Sequence, residues 1–363
     1  MVQLPLNPGS RLRLGLCLLL LAQAPAGVCA PKPKVPAPVA GTFGLEMDGG
    51  RRLLFERSFG LERELKPRRS LLTKLVDIVA GAPDMHYLVR PYSVATDSHG
   101  RAVIADPGAI GIHIVDFDDQ KYKFISHREG KEPLMTPQCV AVDQQDNIYV
   151  TDSEAGKVFV FNAAGKFQRV IGSLKGGEGF FKRPTGIAVD SSAQRLYVTD
   201  TWRDRIYVLD LAGHVLETIG KRGQGNGEFN FPTELRLTAD GLVVVDAMNF
   251  RVQVLSRDGA FRYAIGQAGT AAGQLFRPKG TGVDSEGHIY IADAQNRLVQ
   301  VFDEQGRLLY YFGYAGTTPQ PLASPEGLSI DRMDRIFVVD SNTRRLQVFH
   351  YYGLAKPAAG GTR

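Results

Sequence analysis

Cysteine is nearly absent from this 363-residue chain: Cys17 and Cys29 lie within the first 30 residues and only Cys139 lies beyond them. No intramolecular disulfide framework follows, so the body has to hold by burial alone. Tryptophan occurs once, at Trp202. Long helical patterns are missing from most of the chain, which argues against helical solenoids. The apolar stretch within residues 11–30 is shorter than the roughly 20 residues a spanning helix needs. An excess of charge is also missing. Arg11, Arg13, Lys32, Lys34, Lys356 and Arg363 sit in terminal segments without acids, which leaves 37 of the 43 Lys and Arg against all 38 Asp and Glu. Phosphate binding needs clustered positive charge, so nucleic acid is not an expected partner.

What is abundant is repetition. "FRPKGTGVDSEGHIYIADAQNRLVQVF", residues 276–302, has close copies beginning at Thr136, Arg183, Phe231 and Ser324, and a looser one at Arg90. The opening prolines Pro91, Pro137, Pro184, Pro232, Pro278 and Pro325 are spaced 46 to 48 residues apart. Asp106, Asp152, Asp200, Asp246, Asp293 and Asp340 keep the same period. Two independent markers on one period define a repeat protein. Each copy contains alternating apolar runs separated by Asp/Gly/Asn turns, and the fourth run closes at Gly172, Gly220, Gly266 or Gly313, twelve residues before the next proline. Four short antiparallel strands repeated six times predict an all-β, six-bladed β-propeller.

The sixth copy lacks a fourth run, and "GRRLLFERSFG" at 50–60 resembles "GRLLYYFG" at 306–313. Residues 51–60 are therefore expected to close the ring as the outer strand of blade six, leaving no sheet edge open there. The link from Gly60 to Pro91 carries 19 extra residues, and "SLLTKLVDIVAG" within it has Ser70 at a capping position and apolar residues at helical spacing. It is expected to be a short helix covering the aspartate-rich face. The predicted organisation is 1–30 signal peptide, 31–41 Pro-rich linker, 42–89 closing strand and capping helix, 90–353 propeller and 354–363 flexible tail.

Arg11 and Arg13 before a leucine-rich core form a secretory leader pattern, with small residues for cleavage after Ala26 or Ala30. The mature chain is expected to be periplasmic or extracellular and monomeric, without a transmembrane helix. A lipid anchor through Cys29 is the minor alternative, weakened by Val28 where a small residue is wanted.

"DAMNFRVQVL", "DSNTRRLQVF", "RPTGIAVD" and "GHIYIAD" resemble the NHL repeat, and the similarity extends over about residues 90–353. The resemblance implies the propeller fold. It leaves activity open, because the family includes protein-binding and RNA-binding propellers, a bacterial kinase sensor and the peptidyl-hydroxyglycine amidating lyase.

Antiparallel order places the lead-in to each first strand and the loop between strands two and three on one face. That face gathers the aspartates, the loops "TWRD", "AMNF", "AQNR" and "SNTR", and the arginines before the prolines. Candidates for ligand contact are Arg90, Arg183, Trp202, Arg203, Glu234, Arg236, Met248, Phe250, Arg277, Lys279 and Glu326. The large loop residues either make contacts or fold back between blades. The aspartates are a cation site or, the favoured reading, turn caps paired with the basic residue five positions on: Lys157, Arg205, Arg251 or Arg345. Positions two and four after the proline hold small pairs in five copies but Glu234 and Arg236 in the fourth, as a channel site or an ion pair. His86, His99, His113, His127, His214, His288 and His350 are dispersed, so no multi-histidine zinc site, no metal and no cofactor is expected. No catalytic residue is assigned. The predicted function is a non-catalytic scaffold for a protein or peptide; the alternative is a lyase or hydrolase with a channel-mouth site, amidating-lyase-like or calcium-dependent.

Overall fold

The computed structural model describes residues 37–38, 42–65, 86–126 and 132–354. The leader, most of the linker, the expected helix at 70–81, His127 and the tail beyond Leu354 lie outside the described residues. Among the described residues, no helix is long and apolar enough to cross a membrane.

Six antiparallel sheets form, one per repeat. Blade three is representative, with strands Pro184–Asp190, Arg195–Asp200, Arg205–Asp210 and Val215–Ile219 paired in chain order. The apolar residues assemble into six clusters, each shared by two neighbouring blades; one joins Val198 of blade three to Val158 of blade two, and another joins Phe337 of blade six to Ile104 of blade one. Second and third strands are thus buried on both sides, which is why "IYVTD" and "KVFVF" are apolar almost throughout. Fourth strands, at the rim, alternate with solvent-facing residues.

The ring closes as a mixed blade. Arg52–Phe59 pairs with Arg345–Tyr352, in register Leu346↔Phe59 and Tyr352↔Arg52. Blade six then continues outward through Gly44–Glu46 and Ala37–Pro38, giving six strands rather than four. The expected linker at 31–41 therefore needs correcting, since Ala37 and Pro38 pair with Glu46 and Leu45. Proline lacks an N–H, and an outermost strand is where that omission is tolerated.

The six aspartates are buried and act as clasps. Asp340 accepts the amides of Ala323 and Ser324 at 2.6 and 3.0 Å on one oxygen and those of Asn342 and Thr343 at 3.0 and 2.8 Å on the other. Asp106, Asp152 and Asp293 likewise join lead-in to loop. The expected pairing five positions on holds only for Arg251, 2.8 Å from Asp246. Lys157 instead meets Glu132 at 2.5 Å, Arg345 meets Glu64 at 3.1 Å, and Arg205 donates to the Arg203 carbonyl. Lys157 and Arg345 thus turn towards the connections between blades, and Arg205 towards the loop of its own blade.

Candidate ligand-binding face

The loops between second and third strands share one backbone feature. The residue before each third strand is left-handed: Ile110 (φ 49°), Gly156 (66°), Asp204 (51°), Phe250 (55°), Arg297 (60°) and Arg344 (57°). Only one of these is glycine, so five side chains occupy a conformation that costs on the order of 1 kcal/mol each. Phe231, leading into blade four, adds another at φ 57°. Its amide goes to Asp204 Oδ1 at 2.9 Å, so Asp246 receives only Asn230 of that lead-in.

These loops and the lead-ins to the first strands expose large apolar side chains along blades two to five: Trp202 and Met248 in the loops, Met135, Phe231 and Phe276 in the lead-ins. Trp202 is 60% exposed, with the Arg183 guanidinium 5.6 Å above its ring. Phe250 is half-buried, 6.0 Å from Phe276. Arg203 turns inward and donates to the Phe180 carbonyl and Asp200. Of the two fates weighed for the loop residues, Trp202 and Met248 project and Phe250 packs.

At the channel, Glu234 and Arg236 form an ion pair at 3.0 Å. Arg236 also donates to Leu328 O (2.8 Å), Val94 O (3.1 Å) and Thr281 O (3.2 Å), on the first strands of blades six, one and five. From blade four it thus reaches across the axis to blade one. The Cys139 thiol of blade two donates to Glu234 Oε2 at 3.1 Å. Burial pushes the Cys139 thiol well up, and the Glu234 charge adds to it, so a thiolate nucleophile is not available near neutrality. Burial likewise raises the Glu234 carboxyl above its ordinary 4.5, partly countered by Arg236. The other blades keep small residues two after the proline because first strands nearly touch: a Cβ on Gly186 would lie 2.8 Å from the Glu234 Cα, and one on Gly327 2.5 Å from the Ser93 Cα.

The residue directly after the opening proline comes together across three blades; the sequence marks two of the three, Lys279 and Glu326, as contact candidates and passes over Tyr92. In blades five, six and one it is Lys279, Glu326 and Tyr92. Lys279 Nζ lies 3.2 Å from Glu326 Oε2 and 5.3 Å from the centre of the Tyr92 ring. Burial raises the Tyr92 phenol well above its ordinary value. Arg277 approaches Glu326 at 3.7 Å, and Arg90 is exposed beside blade one.

The described histidines are engaged elsewhere. His113 contacts Tyr122 and Asp106, His86 contacts Glu62, and His350 contacts Glu56. His214 and His288 bind Asp210 and Asp284 in turns on the opposite face. Asp97, His99 and Asp146 form a three-residue group with metal-like spacing among the described residues. Their oxygens are already taken: Asp146 accepts from Ser98 and His99, and Asp97 from Arg101 and the His99 amide.

The NHL-repeat family model matches residues 134–161 and 322–349, within blades two and six. No curated protein matches the chain. Among solved structures, it is similar to a catalytically inactive virginiamycin B lyase from Staphylococcus aureus with quinupristin, at 14% identity and TM-score 0.52, over 73% of this chain and 84% of that one. A Bacteroides thetaiotaomicron protein of unknown function aligns at 17% identity and TM-score 0.56, over 73% and 70%. A chain of a nidogen–laminin complex aligns at 19% and 0.53, over 77% and 98%. At these identities the likeness is one of fold.

Proposed function

Because the chain is a six-bladed NHL-repeat β-propeller, we propose that it is an exported, non-catalytic scaffold that holds a partner protein or peptide on its aspartate-loop face. The observation that carries this reading is the arc of exposed Met135, Trp202, Phe231, Met248 and Phe276 on that face. Exposed aromatic and methionine side chains on loops of a rigid frame are the usual anchors of an interface, because their burial on binding releases water at little conformational cost. Export rests on the leader pattern of residues 11–30. The fold serves both chemistry and binding in other proteins, one similar chain being a lyase and another part of a nidogen–laminin complex. Here the mouth favours binding: its thiol is protonated and Glu234 is committed to Arg236 and Cys139.

The test is capture of partners from the source's extracytoplasmic extract by immobilised protein, compared with Trp202→Ser/Met248→Ser. Met333→Ser is the control, because Met333 is also 60% exposed but sits in a turn between first and second strands, on the other face. Losing an aromatic anchor weakens an interface by about 2 kcal/mol, about thirtyfold, so the double variant should lose its partner and the control should keep it. Equal capture by all three proteins would sink the proposal.

A further inference from the structure

We propose that the corner where blades five, six and one meet seats the carboxylate of an acidic peptide; this deepens the binding reading above and rests on it. A cavity of about 450 Å³ opens there, with Arg90, Arg277 and Arg297 around it and Ser324, Glu326 and Asn342 within its lining. The three arginines come from two positions of the repeat. Arg90 and Arg277 each precede an opening proline, on the two blades flanking blade six, and Arg297 ends the loop of blade five.

Their backbones are fixed before any ligand arrives. The Arg90 and Arg277 amides bind the buried Asp106 and Asp293 at 2.9 and 3.1 Å. Arg297 is held left-handed at φ 60°, its amide on the Asp293 carbonyl at 2.8 Å. Their side chains are exposed, and among the described residues Arg90 and Arg297 form no ion pair. Arg277 has only its 3.7 Å approach to Glu326, whose nearer cation is Lys279 at 3.2 Å. Four cations thus share this corner with one carboxylate, on a body whose charges as a whole nearly cancel. Like charges held this close repel, and an incoming anion relieves that repulsion.

Glu326 specifies the anion further. It is 5% exposed; its Oε2 is buried 3.2 Å from Lys279 Nζ, and its Oε1 accepts from Ser324 Oγ at 3.2 Å. The corner therefore offers guanidinium forks for an anion and, because each carboxylate oxygen has two lone pairs, a second acceptor site on Glu326 Oε1 for a neighbouring donor. An acidic residue in a peptide supplies both, its carboxylate to the arginines and a backbone N–H to Glu326. A phosphodiester backbone supplies the anion alone and brings it against Glu326. Phe276, exposed next to Arg277, continues the apolar arc to this corner, so the peptide is expected to carry an apolar residue close to its Asp or Glu.

The experiment is fluorescence anisotropy with the full chain and a labelled short peptide of Glu, Leu and Gly, against its Gln counterpart and a single-stranded RNA. The acidic peptide should bind about tenfold more tightly than the Gln peptide, and weaken with salt. Arg90→Gln/Arg297→Gln should remove that difference while leaving the melting curve unchanged, since both side chains are exposed. Equal affinity for the two peptides, no binding at millimolar peptide, or an acidic-peptide affinity untouched by the arginine changes would overturn the proposal. So would tighter binding of the RNA with loss on the same changes. If Trp202→Ser/Met248→Ser weakens capture of the partner while the arginine changes do not, the binding face stands and the acidic seat falls.

Discussion

Replacing Arg236 with alanine removes a side chain that pins four first strands, and its consequences follow from what is left behind. Glu234, 3% exposed, loses its ion-pair partner, and the carbonyls of Val94, Thr281 and Leu328 lose a charged donor. Breaking a buried pair by removing one member costs about 3–5 kcal/mol, and the channel-lining carbonyls recover part of their loss from water, so about 4 kcal/mol is expected. At roughly 2.1 cal/mol/K per residue over a ring of this size, that is about 6 °C of melting temperature. Glu234→Ala leaves Arg236 with its three carbonyls and should cost about 2 kcal/mol. The double variant should cost about 4 rather than the additive 6, a coupling of about 2 kcal/mol.

Acidity gives an independent check on the same pair. Burial raises the Glu234 carboxyl and Arg236 is the first force opposing that rise, so Arg236→Ala moves it further up. With the folded value above the unfolded one, the native state binds the extra proton. The resulting stability is complete below the ordinary carboxyl value near 4.5 and is lost as pH rises through the folded value. The Arg236→Ala deficit in urea melts should therefore shrink as pH is lowered from neutrality, and Glu234→Gln/Arg236→Ala should abolish the trend. Additive single effects, or a deficit that ignores pH, would refute the account of the channel.

Deleting residues 42–60 should expose the Arg345–Tyr352 edge of blade six and uncover Phe349, lowering the melting temperature and promoting aggregation. A monomer of unchanged stability by light scattering and calorimetry would show that closure lies elsewhere. Asp340→Ala strands four backbone amides and should destabilise by about 3 kcal/mol or more, while Asp340→Asn, keeping one oxygen acceptor, should lose distinctly less. Equal losses in denaturant titrations would mean the clasp acts by charge rather than by acceptor number.

The ring was legible because its two markers do backbone work. Each proline marks the start of a first strand, and Asp106, Asp152, Asp293 and Asp340 must meet amides sixteen and seventeen residues upstream as well as those in their own loops, so spacing and identity are fixed together. The partners of Lys157, Arg205 and Arg345 were not legible, because spacing along a strand gives neighbours within a blade. Glu132 and Glu64 reach Lys157 and Arg345 from connections of irregular length, and Arg205 turns to a backbone carbonyl, which has no sequence identity to read. Tyr92 escaped notice because its meaning lies in a column comparison with Lys279 and Glu326, and Arg297 because its seat depends on a left-handed backbone that Arg does not advertise. The outer strand at Ala37–Pro38 hid behind its proline, which reads as a linker until an edge is there to receive it.

The division of labour inside the repeat then bears on where specificity can arise. The clasp is made mainly by backbone amides and one carboxylate, a loop side chain joining it in three blades: Arg203 on Asp200, Asn249 on Asp246 and Asn296 on Asp293. Across the six left-handed positions the residue is Ile, Gly, Asp, Phe, Arg and Arg, although glycine alone would avoid the strain. Frame stability by itself favours glycine at all six. Of the five departures from it, Asp204 serves the frame by accepting the Phe231 amide, and the other four, on the face that also carries Trp202, Met248 and the arginine corner, are spent on side chains the frame does not need. Arg236 crosses the axis and ties blade four to blades five, six and one, so it belongs to the frame rather than to the loops. Recognition is therefore expected to follow changes at the loop positions, and stability to follow changes at Arg236 and the aspartates, with little overlap between the two sets.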